Sequence, residues 1–274
     1  MAEALDLELT GEPVRLLADR ALYWPARERL LIADLHLGKG DTFRAAGIAV
    51  PSGGTAHDLA RLDALLAQTG ARGLWILGDF LHARRNAAVD AAWRAFREAH
   101  ADVHVAVVPG NHDRAFDAAA AGVERLPEGV RDGPFEFRHA PPALQSGWNG
   151  LAAGADLVRR SDPAGRRDVA GKGDAGGSDL VGGSDLGRER LRAQARSHGD
   201  RGAITCDVVQ GHVICGHVHP VLRLPGTGRH PLFWLRAGLT VLPAFSAFTG
   251  GHLVARSDSR GSVLCDGRQL VRLP

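Results

Sequence analysis

The chain has 274 residues, a formal net charge of +2 and 23 % charged residues. This length allows one large domain or two smaller ones, and the small net charge gives no overall field directed at nucleic acid or a membrane. The acidic N-terminus lacks the pattern of a signal peptide, and no apolar run reaches the roughly 18 residues of a membrane-spanning helix. Three scattered cysteines without a CxxC pair argue against a disulfide framework. We therefore expect a cytoplasmic protein.

Three short apolar runs in the first half end at polar residues and predict buried strands. The predicted strands are Arg29–Ala33, Gly73–Leu77 and Val103–Val108. Helical patterns separate them, one starting near Thr55 and stopping at Gly70, the other starting near Asn86. This alternation of strands and helices is typical of a largely parallel α/β sheet.

The second half contains short apolar runs joined by turns, which indicate a second, antiparallel or mixed sheet. The runs are Phe135–His139, His212–Cys215, Val221–Leu224, Leu232–Arg236, His252–Arg256, Ser262–Cys265 and Gln269–Leu273. Residues 145–207 differ, because they are rich in Gly, Asp, Ser and Arg and include the near-repeat GGSDLVGGSDLG. Such a composition buries too little apolar surface to offset the entropy of ordering. We predict a single domain over residues 1–274 that contains a disordered insertion at 145–207.

Five small clusters carry residue types that bind metal ions. They are Asp34-Leu35-His36, Gly78-Asp79-Phe80-Leu81-His82, Gly110-Asn111-His112-Asp113, His139, and Gly216-His217-Val218-His219. The first three follow directly on predicted strands, where α/β sheets place ligand sites. Side chains two apart on an extended segment share a face, so Asp34 and His36 can point at one ion, as can His217 and His219.

Carboxylate and amide oxygens mixed with imidazole suit Mn²⁺, iron or Zn²⁺, and the clusters contain no cysteine, which disfavours a purely structural zinc site. One aspartate can bridge two ions, and two ions about 3.5–4 Å apart can hold a phosphoryl group and activate a water molecule. Each cluster alone also fits a turn or a packed histidine. Their joint occurrence, in order and after strands, favours a two-metal site.

The ordered motifs D-x-H, G-D-x-x-H, G-N-H-D, H and G-H-x-H resemble those of calcineurin-like metallophosphoesterases. Longer stretches are similar to bacterial ligase-associated DNA damage response endonucleases. These stretches are ADLHLGKGDTFRAAGIAVPSG at 33–53, GDFLHARR at 78–85, GHVHPVLRL at 216–224 and LPAFSAFTGG at 242–251. The resemblance implies two packed mixed β-sheets flanked by helices, in a four-layer α/β/β/α sandwich with the metal ions at one edge.

The resemblance also implies a role for each motif residue. The implied metal ligands are Asp34, His36 and His219 for one ion, Asn111, His139 and His217 for the other, and Asp79 as a bridge. His112 would protonate the leaving group or stabilise the transition state, and Asp113 would orient its ring. His82 would help to present the scissile phosphate, as is thought for the double-strand-break repair nucleases of this superfamily.

One feature of the spacing leaves alternatives for a metal ligand. The lone histidine and the G-H-x-H motif lie farther apart here than is usual in the resembling subgroup, because residues 145–207 separate them. His198 and His212 are therefore alternatives to His139. Basic residues near the motifs are candidates for contacts with a phosphate backbone, and they are Lys39, Arg44, Arg84 and Arg85.

We expect a phosphoesterase that uses two divalent ions, Mn²⁺ in the first place, with iron, Zn²⁺ or Mg²⁺ as alternatives. The expected substrate is DNA, cleaved internally and in connection with DNA repair. No recognition helix or basic stripe is evident in the sequence, so sequence-specific binding is not predicted. A DNA ligase or helicase partner is implied by the resemblance alone. The alternatives are a phosphodiesterase or phosphatase of small molecules such as cyclic nucleotides, and a non-catalytic scaffold with the same fold.

Overall fold

The structure, a computed structural model, describes residues 3–45, 47–50, 52–82, 87–113, 116–142 and 211–274. The predicted insertion at 145–207 lies outside the described residues, so the insertion and the single domain around it stay predictions. Cys215 and Cys265 are buried free thiols, and Cys206 is not among the described residues. Within the described ranges, no helix is both long and apolar enough to cross a membrane.

Seven of the described strands form the first sheet, side by side in chain order. They are β1 (Ala4–Leu9), β2 (Glu12–Leu17), β3 (Ala21–Trp24), β4 (Arg29–Ala33), β5 (Gly73–Leu77), β6 (His104–Val108) and β7 (Glu124–Arg125). Strands β1 to β4 pair antiparallel, and β4 to β7 pair parallel. The predicted β4, β5 and β6 are confirmed, with β6 starting one residue late. The β1–β3 meander was not predicted, although Leu5, Leu7 and Leu9 alternate with acidic residues in β1.

The described α-helices are α1 (Lys39–Ala45), α2 (Gly54–Thr69) and α3 (Ala87–Ala99). The predicted end of α2 is confirmed, because Gly70 has a left-handed φ of 63° and its N–H donates to the carbonyl of Leu66. The buried faces of α2 and α3 pack with one face of the first sheet in a common apolar core. The helical layer expected over the second sheet is not formed by either of these two helices.

Nine of the described strands form the second sheet. They are β8 (Val130–Asp132), β9 (Phe135–Phe137), β10 (His212–Cys215), β11 (Pro220–Leu224), β12 (Gly228–Arg236), β13 (Leu239–Val241), β14 (His252–Leu253), β15 (Val263–Cys265) and β16 (Leu270–Arg272). The sheet is mixed, since β10 is parallel to β9 and β13 while β12 is antiparallel to β11, β13 and β15. The predicted strand from Phe135 ends early, so His139 lies in the loop after β9, and β14 ends before a 3-10 turn at Arg256–Asp258.

Alternate residues of the central strands face different layers, as extended backbone requires. On β4, Leu30 and Ile32 pack with the helices, whereas Leu31 and Ala33 pack in a second core between the sheets. All four side chains are fully buried. These central strands are therefore apolar on both faces, which explains why they read as continuous apolar runs. The predicted fold class of two packed mixed sheets flanked by helices is confirmed.

The two sheets meet where β4 ends. Ala33 forms a parallel bridge with Ala244 in the loop after β13, and the N–H of Phe245 donates to the carbonyl of Ala33 at 2.8 Å. The next residue, Asp34, is fully buried at this junction. The fold therefore places the first predicted ligand at the common edge of both sheets.

Candidate metal centre

Motif residues from both sheets converge at the carboxyl ends of their strands. Because β4 and β5 pair in parallel, the residues that follow them lie side by side. The N–H of Asp34 donates to the carbonyl of Gly78 at 3.2 Å, and the N–H of His36 donates to that of Asp79 at 2.7 Å. Across the edge, the N–H of His217, two residues beyond β10, donates to Asp34 Oδ2 at 2.8 Å.

Five of the predicted ligands have left-handed backbone conformations. Their φ angles are 54° at Asp34, 47° at His36, 45° at Asp79, 69° at His217 and 50° at His219. A non-glycine residue held this way costs on the order of 1–3 kcal/mol, and such residues concentrate at functional sites. The expectation that these pairs lie on extended segments is therefore wrong. The side chains converge because the chain turns sharply at each ligand.

A first cluster contains Asp34, His36 and His219, whose ligand atoms all lie within 4.8 Å of one another. His219 Nε2 is 3.4 Å from Asp34 Oδ2. Asp34 and His36 are buried, and His219 is half-buried. The structure thus brings together the three side chains that the resemblance assigns to one ion.

A second cluster contains Asp79, His139 and His217, again with ligand atoms within 4.8 Å of one another. His217 Nδ1 lies 2.9 Å from His139 Nε2. The two histidines come from loops after the parallel strands β9 and β10, so their meeting follows from the strand order. Asn111, the remaining residue assigned to this ion, is exposed on the turn Asn111–Asp113, and its role stays a prediction.

Asp79, a member of the second cluster, also lies near the first. Its Oδ2 is 3.7 Å from His36 Nε2 in the first cluster, and its Oδ1 is 3.8 Å from His139 Nε2 in the second. One carboxylate thus presents a different oxygen to each cluster. This is the arrangement that a bridging ligand needs.

Four buried atoms of these side chains have no hydrogen-bond partner among the described residues. They are Asp34 Oδ1, His36 Nε2, His139 Nδ1 and His219 Nε2. A buried polar atom without a partner costs about 1–3 kcal/mol, so folded proteins rarely leave several of them at one place. Lone pairs on carboxylate oxygen and imidazole nitrogen suit divalent cations such as Mn²⁺ or Zn²⁺. The residues present therefore fit the metal ions that the sequence predicts.

The surroundings of two members of the first cluster, Asp34 and His36, favour the forms that bind metal. Burial by itself would raise the pKa of Asp34, but His219 and His139 hold that pKa below its ordinary value, so the carboxylate is ionised. Burial, together with the nearby Lys39 ammonium, lowers the pKa of His36 far below its ordinary value, so the imidazole is neutral. Metal ligation requires an ionised carboxylate and a neutral imidazole.

His112 and His82 lie beside the first cluster. With His36 they form a third group of nitrogen ligand atoms within 4.8 Å. His82 Nδ1 is 3.4 Å from His36 Nδ1, and the His82 and His112 ring centroids are 5.1 Å apart. The backbone N–H of His112 donates to Asp79 Oδ1 at 3.0 Å, and its exposed ring has its centroid 5.4 Å from that of His36. Burial and the charge of Lys39 lower the pKa of His82 to about 4, so this ring is neutral near pH 7.

Asp113 does not have the predicted role. Its Oδ2 accepts from the N–H groups of Phe80 and Gly110, at 3.0 and 2.9 Å, and its Oδ1 accepts from the N–H of Leu81 at 3.0 Å. Within the described part of the chain its carboxylate makes these backbone bonds and none to the ring of His112. The expectation that Asp113 orients His112 is therefore wrong. The buried carboxylate instead ties the loop after β5 to the loop after β6.

The alternatives to His139 are separated by the structure. His212 Nε2 is 2.8 Å from Thr240 Oγ1 in the second sheet, and burial lowers the pKa of His212 to about 4. His212 belongs to none of the three clusters of the described residues. His198 lies outside the described residues. Of the two described candidates, only His139 belongs to a cluster of possible metal ligands.

Two of the four basic candidates can be placed. Lys39 begins α1. Burial lowers the pKa of its ammonium group overall, although the carboxylates of Asp34 and Asp79 act to raise it. Arg44 pairs with Asp41 along α1. Arg84 and Arg85 lie outside the described residues, so their contacts with a phosphate backbone stay predictions.

Two glycines of the motifs are required by close contacts with candidate ligands, which were not predicted from the sequence. A Cβ on Gly78 would overlap the ring of His139, and one on Gly216 would lie 2.6 Å from Asp34 Oδ2. Any larger residue at either position would displace a candidate ligand. The feature of the sequence that could have indicated this is that each glycine directly precedes a candidate ligand, Asp79 or His217.

The chain is similar to known proteins both in sequence and in fold. Residues 29–221 match the family model described as calcineurin-like phosphoesterase. The crystal structure of nuclease MPE from Pseudomonas putida matches with 31 % identity and a TM-score of 0.63, over 96 % of this chain and 96 % of that one. A protein of unknown function from Aquifex aeolicus, AQ665, is 18 % identical over 41 % of this chain and 60 % of that one, and its TM-score of 0.31 supports no argument. No curated protein matches.

Proposed function

The chain belongs to the calcineurin-like phosphoesterase family, and we propose that it hydrolyses phosphodiester bonds of nucleic acid with two divalent metal ions. The observation that supports this best is the position of Asp79, which presents one carboxylate oxygen to each of two histidine-containing clusters. A site for one structural ion would need no such shared carboxylate. A shared carboxylate is what a pair of catalytic ions requires.

In the proposed site, one ion is held by Asp34, His36 and His219, the other by Asn111, His139 and His217, and Asp79 serves both. When bound, the two ions supply positive charge to the phosphoryl oxygens and lower the pKa of a water molecule. Mn²⁺ is the ion we propose, because the ligand set mixes hard oxygens with imidazole.

The exposed ring of His112 is the group best placed to act on the leaving oxygen. Its backbone N–H donates to Asp79 at 3.0 Å, which holds the backbone that carries the ring beside the clusters. A histidine there can donate a proton to the departing alkoxide. His82 is neutral near pH 7, as its pKa of about 4 implies, and it can orient the phosphate by hydrogen bonding without adding charge.

The proposed substrate is nucleic acid because of the room beside His112. A cavity of about 680 Å³ has His112 in its lining, together with apolar side chains such as Trp93 and charged ones of both signs, such as Arg94 and Asp90. This volume exceeds the needs of a phosphate group and suits the nucleoside that follows the leaving oxygen. The similar Pseudomonas putida protein is named a nuclease. DNA as the substrate, a role in repair and a ligase or helicase partner extend the proposal on sequence resemblance alone.

A substrate panel on the metal-free protein tests the proposal. The substrates are circular single-stranded DNA, linear duplex DNA, a 2′,3′-cyclic nucleotide, bis(p-nitrophenyl) phosphate and p-nitrophenyl phosphate. Each is incubated with Mn²⁺, Fe²⁺, Zn²⁺, Mg²⁺ or a chelator. We expect metal-dependent linearisation of the circular DNA, which has no ends and therefore reports internal cleavage.

The matched pair of variants for this panel is Asp79→Asn and Glu136→Gln. Both convert a buried carboxylate to an amide, but Glu136 pairs with Arg131 and Arg138 and belongs to neither cluster. Cleavage should vanish in the first variant and persist in the second. Turnover of the cyclic nucleotide or the monoester alone would favour the small-molecule alternative. No turnover with any metal, in a folded protein, would favour the scaffold.

A further inference from the structure

The loop after β13 contains a buried segment, Ala244–Ser246, that belongs to neither metal cluster but touches the centre. The N–H of Phe245 donates to the carbonyl of Ala33 at 2.8 Å, and the N–H of Ser246 donates to the carbonyl of Asp34 at 3.3 Å. All three residues of the segment are buried. The backbone of the segment is therefore in direct contact with the backbone of a candidate metal ligand.

Two guanidinium groups bind every carbonyl of the 244–246 segment. Arg20 Nη1 donates to the carbonyls of Ala244 and Ser246, at 3.3 and 3.2 Å. Arg61 Nη1 donates to the carbonyl of Phe245 at 2.8 Å. Charged donors form stronger hydrogen bonds than neutral ones, and the rigid guanidinium fork also fixes direction.

Arg61 is itself held firmly. Its guanidinium donates to Asp58 Oδ1 at 3.2 Å and to Asp19 Oδ1 at 3.3 Å, and it lies 4.2 Å from the ring centroid of Phe245. Its side chain is only 13 % exposed. Asp58 belongs to α2 and Asp19 to the turn before β3, so Arg61 joins three parts of the fold. Two nearby carboxylates also offset the repulsion between Arg61 and Arg20.

The consequence for the centre follows from the strained backbone of Asp34. With a φ of 54°, Asp34 keeps its conformation only if its neighbours hold it. Its N–H is held by the carbonyl of Gly78 and its own carbonyl by the N–H of Ser246. The second of these contacts depends on the position of the 244–246 segment, and hence on the two arginines.

We propose that Arg20 and Arg61 are positioning residues for the metal ligand Asp34, acting through the 244–246 segment. The inference rests on the proposed function in one respect, that Asp34 binds a divalent ion. Among the described residues, neither arginine forms a hydrogen bond or ion pair with a candidate ligand side chain. Their effect is to keep the left-handed backbone of Asp34, and so its carboxylate, in the geometry that the first cluster needs.

The test compares Arg61→Met with Arg29→Met. Arg29 is a close match, because its side chain is 15 % exposed, donates to Asp132 at 2.7 Å and lies 3.8 Å from the ring centroid of Trp75. It also belongs to β4, but at the end remote from Asp34. Loss of a buried, paired arginine should destabilise both variants. If the proposal is correct, only Arg61→Met should also disturb the Asp34 end of the strand.

The measurement is Mn²⁺ binding to the metal-free proteins by isothermal titration calorimetry, with urea unfolding as the measure of stability. We expect Arg61→Met to weaken Mn²⁺ binding at least about tenfold and Arg29→Met to stay within about twofold of the wild type. Arg61→Lys keeps the charge but loses the fork, so its Mn²⁺ affinity should fall between those of the wild type and Arg61→Met.

Equal changes in Mn²⁺ affinity for Arg61→Met and Arg29→Met would overturn the proposal and leave both arginines with a role in stability alone. An unchanged affinity in folded Arg61→Met would do the same. If Arg61→Met does not fold, Arg61→Lys decides the question against Arg29→Lys. A wild type that binds Mn²⁺ but cleaves no phosphodiester would refute the proposed function, and the titrations would still decide the positioning role. A wild type that binds no divalent ion refutes both.

Discussion

The two ends of the parallel pair β9 and β10 hold histidines that are equally buried but differently partnered. His212 begins β10 and His139 lies just beyond the end of β9, and each is 4 % exposed. Thr240 satisfies a ring nitrogen of His212 at 2.8 Å. His139 Nδ1 has no hydrogen-bond partner among the described residues and lies 3.7 Å from Asp34 Oδ1. Burial alone therefore does not identify a ligand. The unsatisfied nitrogen at the carboxyl edge indicates function, and the satisfied one at the other end indicates stability.

The largest expected effect is the loss of activity when the histidine at the carboxyl edge is removed. His139→Ala should lower metal-dependent phosphodiester hydrolysis on the order of 10³-fold, since a ligand matters more than the outer contacts that cost 10–100-fold. His212→Gln should stay within about threefold of the wild type, because its effect is on packing. Steady-state kinetics at saturating Mn²⁺ measures both. A greater loss for His212→Gln would make His212 the ligand and reverse the comparison.

The next effect separates chemistry from metal binding within the carboxyl edge. His112→Ala should reduce kcat about 10²- to 10³-fold, because a positioned proton donor is lost. The affinity for Mn²⁺ should be unchanged, since His112 is proposed to act on the leaving oxygen. Kinetics paired with metal titration tests this. A weakened Mn²⁺ affinity would indicate instead that the cluster of His36, His82 and His112 binds an ion.

A smaller effect is the stabilisation of the fold by metal. An ion that binds the folded state alone stabilises it by about 2.7 kcal/mol at 100 times its dissociation constant. We expect urea unfolding of the wild type and of His212→Gln to show this increase when Mn²⁺ replaces a chelator. His139→Ala should show much less of it. An equal increase in all three proteins would place the bound ion away from this edge.

The smallest effect is the pH dependence contributed by His212. Burial lowers its pKa in the folded protein from 6.5 to about 4, so the unfolded chain binds its proton first as the pH falls. Stability should therefore be lost between pH 6.5 and about 4, on the order of 2 kcal/mol, and no further below that range. Urea unfolding of the metal-free wild type and His212→Gln at about pH 7 and about pH 4.5 isolates this contribution. The variant should lose less stability, and identical losses would rule out a buried neutral His212.

The strands that carry the ligands were predictable because their signal is local. Runs such as Leu30–Ala33 are apolar at every position, which a strand buried on both faces requires. The β1–β3 meander could have been predicted from the alternation of apolar and polar residues in its strands. The short helix α1 has no comparable pattern of apolar residues. The order of Asp34, Asp79, Asn111, His139 and His217 along the chain was likewise sufficient to indicate a metal centre.

The sequence by itself determined which strands form and which residue types follow them, since apolar periodicity and turn residues act over a few positions. The tertiary structure alone decided which buried side chains are satisfied. It placed His139 in a cluster of candidate ligands and His212 beside Thr240, assigned Asp113 to backbone amides, and brought Arg61 to the carbonyl of Phe245. These outcomes depend on which distant segments approach within hydrogen-bond distance. No local pattern encodes such an approach, because it arises only when two sheets close on one edge.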